Sequence, residues 1–113
     1  ITSQVTNWTL RGRRVRVKVP VGVAYGSDTA KVLRILLDVA RRHRHVLKDP
    51  APRALFLGFG ESSLDFELRV FLPSIDYMLQ VRHDLHLAID REFRKAGVEI
   101  PFPQQVVHMH QVQ

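Results

Sequence analysis

The 113-residue chain contains no cysteine, which excludes a disulfide framework, a thiolate metal site and a cysteine nucleophile. It also lacks any stretch near the ~18 uninterrupted apolar residues that a membrane span requires. Its longest candidate, residues 32–40, is interrupted by Arg34 and Asp38. The first residues have neither the basic region nor the apolar core of a signal peptide. Because the chain starts at Ile1 without an initiating Met, we expect it to be a piece of a longer protein.

The composition is that of a globular protein with a basic balance. Hydrophobic residues make up 45% and charged residues 25%, values that argue against a disordered, collagen-like or coiled-coil chain. The length allows one compact domain, or one domain with an arm. Lys and Arg total 17 against 11 acidic residues, which gives a formal net charge of +6. This charge permits an anionic partner without identifying it.

The first half of the chain predicts a strand and a helix. Residues 14–24 alternate strictly, which is typical of a half-buried strand, and its apolar face carries Val15, Val17, Val19, Val21 and Val23. Pro20 cannot donate to a strand ladder, so we expect an edge, a bulge or a break there, and we interpret it as a hinge between two domains. Asp28 then offers an N-cap for a helix from about residue 29 to residue 43.

The second half predicts two strands, a helix and a last strand. Residues 53–59 are apolar on both faces, which indicates a central strand, and residues 60–63 form a hairpin loop. Residues 64–72 alternate cleanly as a second strand. A helix follows from Pro73 to about residue 96 and ends at Gly97. Residues 98–100 complete the order β-α-β-β-α-β from Pro20 onward, which predicts an α+β, ferredoxin-like sandwich with both helices on one face of the sheet. Residues 4–10 and 105–112 alternate as further strands outside this unit.

Residues that could carry chemistry are present but do not form a convincing catalytic or metal site. His83 and His86 have a spacing that zinc would accept, but no third ligand is defined, and solvent-facing histidines explain the pattern better. Asp65 and Glu67 alternate with apolar residues, which is typical of the solvent-facing side of a strand. No glycine-rich phosphate loop and no activated serine is visible. We therefore expect no enzyme activity, no metal and no cofactor.

An RNA-binding domain of the RRM type is the alternative function, because RRM domains share this topology and the chain is basic. An RRM binds RNA through aromatic and basic residues on its central strands. Here the candidate strands contain Gly58-Phe59-Gly60 and Asp65-Phe66-Glu67, so acidic residues stand where basic and aromatic ones would be needed. We therefore do not expect a nucleic acid as the partner.

Five motifs in order along the chain resemble those of small-conductance mechanosensitive (MscS-like) channels. The segments are Val5-Thr6-Asn7-Trp8-Thr9-Leu10, Val21-Gly22-Val23-Ala24-Tyr25-Gly26-Ser27-Asp28, Val46-Leu47-Lys48-Asp49-Pro50, Phe59-Gly60-Glu61-Ser62-Ser63-Leu64 and Gly97-Val98-Glu99-Ile100-Pro101-Phe102-Pro103-Gln104. Five ordered matches are far more specific than one. The first two segments are most similar to the large, potassium-dependent branch of the family. The motif positions singled out as structural are Asn7, Trp8, Gly22, Tyr25, Asp28, Gly60, Pro101, Phe102, Pro103 and Gln104.

The resemblance implies that the chain is one part of a channel subunit. Residues 1–19 would end a small β domain, residues 20–100 would be the ferredoxin-like α/β domain, and residues 101–113 would be a linker and C-terminal strand. In the family, seven copies enclose a cytoplasmic vestibule, and their last strands close a barrel. The strand residues assigned to that barrel are Val106, Val107, His108, Met109 and His110.

The same resemblance implies the partners and the location of the full-length protein. The partners would be other copies of the chain in a homo-heptamer, the membrane, through helices upstream of this sequence, and permeating ions. The full-length protein would reside in the bacterial inner membrane, with this part on the cytoplasmic side. The vestibule would filter solutes and support a pore that opens under osmotic stress.

Overall fold

The computed structural model describes residues 14–101, and these residues form an α+β unit, as predicted from the sequence. Its elements in chain order are β1 (Val15–Val23), α1 (Thr29–Arg42), β2 (Arg53–Phe59), β3 (Leu64–Leu72), a 3₁₀ turn (Ile75–Tyr77) and α2 (Met78–Ala96). The strands form one antiparallel sheet in the order β1-β3-β2. The strands predicted at residues 4–10 and 105–112 lie outside the described residues.

Strand β3 is the centre of the sheet, and the hydrophobic core lies against one of its faces. Its alternate residues are all 5% exposed or less: Leu64, Phe66, Leu68, Val70 and Leu72. Both helices contact the sheet and bury one stripe each. The stripe of α1 is Val32, Leu36, Val39 and Ala40, and that of α2 is Val81, Leu85, Ile89 and Phe93. Because only alternate side chains of the central strand β3 are buried, the helices cover one face of the sheet and leave the other open.

Among residues 14–101, strand β2 lies at an edge of the sheet, so within the described part of the chain the prediction of a central strand was wrong. There it pairs with β3 alone, and its register shifts between Phe56 and Gly58. Leu57 and Phe59 are 56% and 75% exposed. The sequence pattern misleads because apolar side chains on both faces do not reveal how many neighbouring strands an element has.

Strand β1 runs through Pro20 without the break that the hinge interpretation expected. The register continues from Val19↔Leu68 to Pro20↔Glu67 and Val21↔Phe66. Since β1 is the other edge of the sheet, Pro20 removes a donor where the described residues provide no neighbouring strand. The division of the chain at residues 19 and 20 stays a prediction, with the constraint that β1 crosses it.

Residues 98–100, the last predicted strand, form no strand in this structure, and one backbone hydrogen bond joins them to the turn after β1. Gly97 ends α2 in the left-handed conformation, with a φ of 76°, and the Val98 N–H donates to the Phe93 carbonyl at 2.9 Å. The Ala24 N–H then donates to the Glu99 carbonyl at 2.8 Å. Pro101 has no N–H with which to extend this contact into a ladder.

The helix ends follow from local chemistry. The Asp28 side chain caps α1 by accepting from the Lys31 N–H at 3.2 Å. Before α2, the Ser74 hydroxyl accepts from the Asp76 N–H and starts the 3₁₀ turn. None of the helices within residues 14–101 is long and apolar enough to span a membrane.

Candidate functional site

Residues from two distant motifs meet at the hairpin end of the sheet, where the tight loop between β2 and β3 faces the turn after β1. The Tyr25 hydroxyl donates a hydrogen bond to the Gly60 carbonyl across 35 positions of sequence. Gly22, at the end of β1, pairs with Asp65 at the start of β3. We call the site formed by Gly22, Tyr25, Gly60 and Asp65 the motif corner.

Both glycines of the motif corner are sites of close approach. A Cβ atom on Gly60 would lie 2.7 Å from Asp65 Oδ2, and one on Gly22 would lie 3.3 Å from Ser63 Oγ. The Asp65 carboxylate is held in place, because the Ser63 hydroxyl donates to Oδ1 at 2.8 Å. The Gly60 N–H also donates to the Ser63 carbonyl at 2.7 Å and closes the loop. Glycine is therefore required at these two positions because the motif corner has no room for a side chain there.

The motif at residues 97–104 also joins the motif corner, through the backbone hydrogen bond between Ala24 and Glu99. Glu99 lies two residues before Pro101. Lys31 in the first turn of α1 donates from Nζ to the Ala96 carbonyl at 3.0 Å, which links α1 to the end of α2. Of the ten predicted motif positions, the described residues place Gly22, Tyr25, Asp28, Gly60 and Pro101 at this end of the unit. Those outside the described residues are Asn7, Trp8, Phe102, Pro103 and Gln104, together with Val106, Val107, His108, Met109 and His110.

The motif at residues 46–50 is not part of the motif corner. The Leu47 N–H donates to the Phe71 carbonyl at 2.8 Å, close to the end of β3 opposite the hairpin. The Asp49–Pro50 bond in this motif is cis. The fold therefore uses this motif to dock the α1–β2 connection beside β3.

The chemistry of the motif corner is structural. Its one carboxylate, that of Asp65, accepts from a serine, and among residues 14–101 no hydrogen bond joins Ser63 to a histidine or lysine that could activate it. Within the same residues, no group of three or more His, Asp or Glu side chains is placed to hold a metal ion. His83 and His86 are both exposed, and His86 Nδ1 lies 2.7 Å from the Arg82 carbonyl oxygen. What the corner can do is fix the relative positions of three chain segments.

A second polar contact, between the two helices, was missed by sequence reasoning. His43 Nε2 lies 2.8 Å from Asp84 Oδ2, and the His43 side chain is only 12% exposed. The His45 N–H donates to His43 Nδ1 at 3.1 Å, so in neutral His43 the proton resides on Nε2 and is donated to Asp84. No sequence pattern pointed to this pair, because His43 and Asp84 meet only when α1 packs against α2.

The electrostatics of this contact follow from its hydrogen bonds. The bond from His43 is the main cause that lowers the pKa of Asp84, and a second bond, from Gln80 Nε2 at 2.8 Å, acts in the same direction. Both bonds favour the ionised carboxylate. The neighbouring His45 ring stacks on Tyr77, with centroids 4.1 Å apart. The end of α1 is thereby fixed to the start of α2.

The outer edge of β2 is the most apolar exposed strand segment of the unit. Leu57 and Phe59 are both exposed, and the Phe59 ring meets that of Phe56 in an edge-to-face arrangement at a centroid distance of 5.3 Å. An edge strand has unpaired backbone groups, and exposed apolar side chains beside them favour association with another chain. We call Leu57, Phe59 and the backbone between them the β2 edge.

Comparisons with known proteins all point to the same family. The family profile described as "Mechanosensitive ion channel MscS, C-terminal" matches residues 17–100. An uncharacterized MscS family protein of Haemophilus influenzae is 40% identical over 104 residues, which cover 92% of this chain and 9% of that protein. The mechanosensitive channel MscK of Escherichia coli is 36% identical over 110 residues, which cover 97% of this chain and 10% of MscK. The chain thus spans about a tenth of the length of these two relatives.

Solved structures agree with the sequence relatives. The closed-state crystal structure of Helicobacter pylori MscS matches with a TM-score of 0.74 and 31% identity, over 80% of this chain and 36% of that chain. The cryo-EM structure of Arabidopsis thaliana MSL1 matches with a TM-score of 0.64 at 14% identity, over 82% of this chain and 35% of that chain, a likeness of fold alone. The RRM alternative gains no support from these relatives.

Proposed function

The chain belongs to the MscS family of mechanosensitive ion channels, and it corresponds to the C-terminal region of such a channel; we propose that it forms part of the cytoplasmic vestibule below an osmotically gated pore. The single observation that carries this proposal is the family match across residues 17–100, which is nearly the whole of the described unit. In this role the chain holds subunits together and limits which solutes reach the pore.

Self-association is the first component of the proposal. The β2 edge supports it, because Phe59 is 75% exposed and a neighbouring copy could bury it. The heptamer, and the barrel made by residues 106–110, come from the family resemblance. Within residues 14–101, the strand order leaves both outer strands, β1 and β2, with one partner each, which leaves room for contacts between copies.

The second component concerns chemistry and location. We infer that the chain is not an enzyme, since the residues of the motif corner bond to one another and to backbone rather than converging on an open site. Membrane attachment would come from helices upstream of this sequence in the full-length protein, with the bacterial inner membrane as the location. The two long relatives, of which this chain covers 9% and 10%, favour the large branch of the family.

A chimeric channel tests the proposal. The region of Escherichia coli MscK that aligns with this chain, 36% identical over 110 residues, is replaced by this chain and expressed in a strain that lacks its own mechanosensitive channels. We expect the chimera to conduct under membrane tension in patch recordings and to restore survival after osmotic downshift.

The matched control is the same chimera with Phe66→Ala, which removes a fully buried side chain from β3 and should weaken both readouts by destabilising the unit. A chimera that reaches the membrane in normal amounts, yet neither conducts nor protects the cells, would contradict the proposal. Full survival with a Phe66→Ala chimera whose unit is found by protease digestion to be unfolded would show that the folded unit is not needed.

A further inference from the structure

One row of side chains on the open face of the sheet carries only positive charge. The register places Lys18 of β1 opposite Arg69 of β3, and it places Arg53 of β2 opposite the same Arg69. Lys18 and Arg69 point away from the helices, because their neighbours Val17, Val19, Leu68 and Val70 are buried on the other face. Arg53 does the same, because its neighbour Ala54 packs against the core. We call Lys18, Arg69 and Arg53 the cationic rung.

The cationic rung brings its three charges close together. Adjacent strands lie about 4.8 Å apart, so the rung spans about 10 Å across the sheet. Arg16, on the same face of β1 and opposite Phe71, adds a fourth cation about 6.8 Å along the strand. Like charges directly opposite one another destabilise a sheet. The arrangement therefore opposes folding unless a negative partner neutralises it.

Within the described residues, neutralisation of the rung is incomplete. Arg69 Nε contacts Glu67 Oε2 at 2.5 Å, whereas no salt bridge among residues 14–101 involves Lys18 or Arg53. Some helix cations pair with nearby acids, as in Arg42–Asp38 at 2.7 Å and Arg94–Asp90 at 3.3 Å, whereas others, such as Arg34 and Arg82, form no salt bridge among residues 14–101. The rung differs from these helix cations because its three charges lie directly opposite one another across the sheet.

We propose that the cationic rung is a binding site for a multivalent phosphate anion. Glu67 holds the Arg69 guanidinium through Nε, and no hydrogen bond among residues 14–101 uses its two terminal nitrogens, which can donate to phosphate oxygens. Arg53 offers a second planar donor fork, and Lys18 offers a flexible point charge. An anion with several negative oxygens contacts all three groups at once and removes their mutual repulsion. The proposal rests on this surface alone and does not depend on the channel function.

Calorimetric titration of the 113-residue chain with inorganic tripolyphosphate tests the site. The test variant is Lys18→Gln with Arg53→Gln, and the matched control is Arg34→Gln with Arg82→Gln, two exposed helix cations that carry the same total charge. The titrations are made in about 0.1 M salt, where charges more than about 10 Å apart are largely screened. A diffuse effect of net charge would weaken binding in both variants alike.

We expect the native chain to bind one tripolyphosphate and the test variant to bind about 100-fold more weakly, about tenfold for each lost charge-assisted contact. The control should change by less than about threefold, since its cations lie on the helices. Lys18→Arg, which keeps the charge, should retain the affinity. Equal losses in the test and control variants, or the absence of binding by the native chain, would refute the site.

Thermal unfolding separates loss of the site from loss of the fold. Tripolyphosphate should raise the Tm of the native chain and not that of the test variant. Without the anion, the test variant should melt at the same temperature or higher, because like-charge repulsion has been removed. A test variant that melts well below the native chain would contradict the repulsion on which the argument rests.

Vesicle binding distinguishes the two sources of phosphate, a lipid headgroup and a free phosphate compound. Binding to phosphatidylglycerol vesicles but not to phosphatidylcholine vesicles, lost in the test variant, would identify lipid headgroups as the source. Binding to tripolyphosphate without vesicle binding would identify a free phosphate compound. Either outcome supports the site. Tight binding of single-stranded RNA that tripolyphosphate does not displace would overturn it, because recognition would then need more than phosphate.

Discussion

Two phenylalanines close together in the fold should respond very differently to substitution by alanine. Phe66 on β3 is 1% exposed and stacks on Phe56 with ring centroids 4.8 Å apart. Phe59 on β2 is 75% exposed and contacts the edge of the same Phe56. The two therefore report separately on the core and on the β2 edge.

Phe66→Ala should lower the free energy of unfolding by about 3–5 kcal/mol, the usual loss when a buried aromatic side chain is removed and a cavity is left. Since a single domain has about 5–15 kcal/mol in total, this loss would remove a large share of the stability of the unit. Phe59→Ala should cost no more than about 1 kcal/mol, because it loses only an edge-to-face contact.

Urea unfolding followed by circular dichroism measures both free energies, at a protein concentration low enough to keep the chain monomeric. Sedimentation at high concentration then tests the β2 edge, where Phe59→Ala should weaken self-association of the folded chain. A Phe59→Ala loss as large as that of Phe66→Ala in the monomer would refute the assignment of β2 as an exposed edge. A Phe66→Ala loss below about 1 kcal/mol would refute the assignment of Phe66 to the core.

Two further predictions concern the helices. The pKa of Asp84 is lowered from 3.8 by its bonds to His43 and Gln80, so its stabilising contribution is full above pH 3.8 and is lost as pH falls through the lowered pKa. Asp84→Asn should therefore be less stable than the native chain in urea at pH 7 and nearly equal to it at pH 2; a difference that does not change with pH would contradict the linkage. Gly97→Ala should cost about 1–2 kcal/mol in the same assay, because Gly97 ends α2 at a φ of 76°. An unchanged unfolding midpoint would show that the backbone can end the helix in another way.

The residues of the motif corner were partly predictable from the sequence, but their contacts were not. Gly22, Tyr25 and Gly60 were chosen as motif positions from the chain alone, but nothing in the sequence indicated that the Tyr25 hydroxyl reaches the Gly60 carbonyl. The need for glycine at position 60 became clear only from the 2.7 Å that would separate its Cβ from Asp65. Such residues can be identified from the sequence because a motif is defined by residue types and their order along the chain. Whether they touch depends on how distant segments pack in the fold.

The sequence by itself determined the local elements, the α+β class and the family resemblance. Alternation with a period of two predicted β1 and β3, and Asp28 and Gly97 marked helix ends. These features depend on neighbours within a few residues, so local periodicity is enough to predict them.

Only the tertiary structure decided the strand order β1-β3-β2, which places β2 at an edge and lets β1 pass through Pro20. It alone brought His43 to Asp84 and aligned Lys18, Arg69 and Arg53 on one rung. The physical reason is that these arrangements join residues far apart in the chain. Which strand pairs with which, and in what register, is set by burying the shared core, and that choice leaves no local pattern in the sequence.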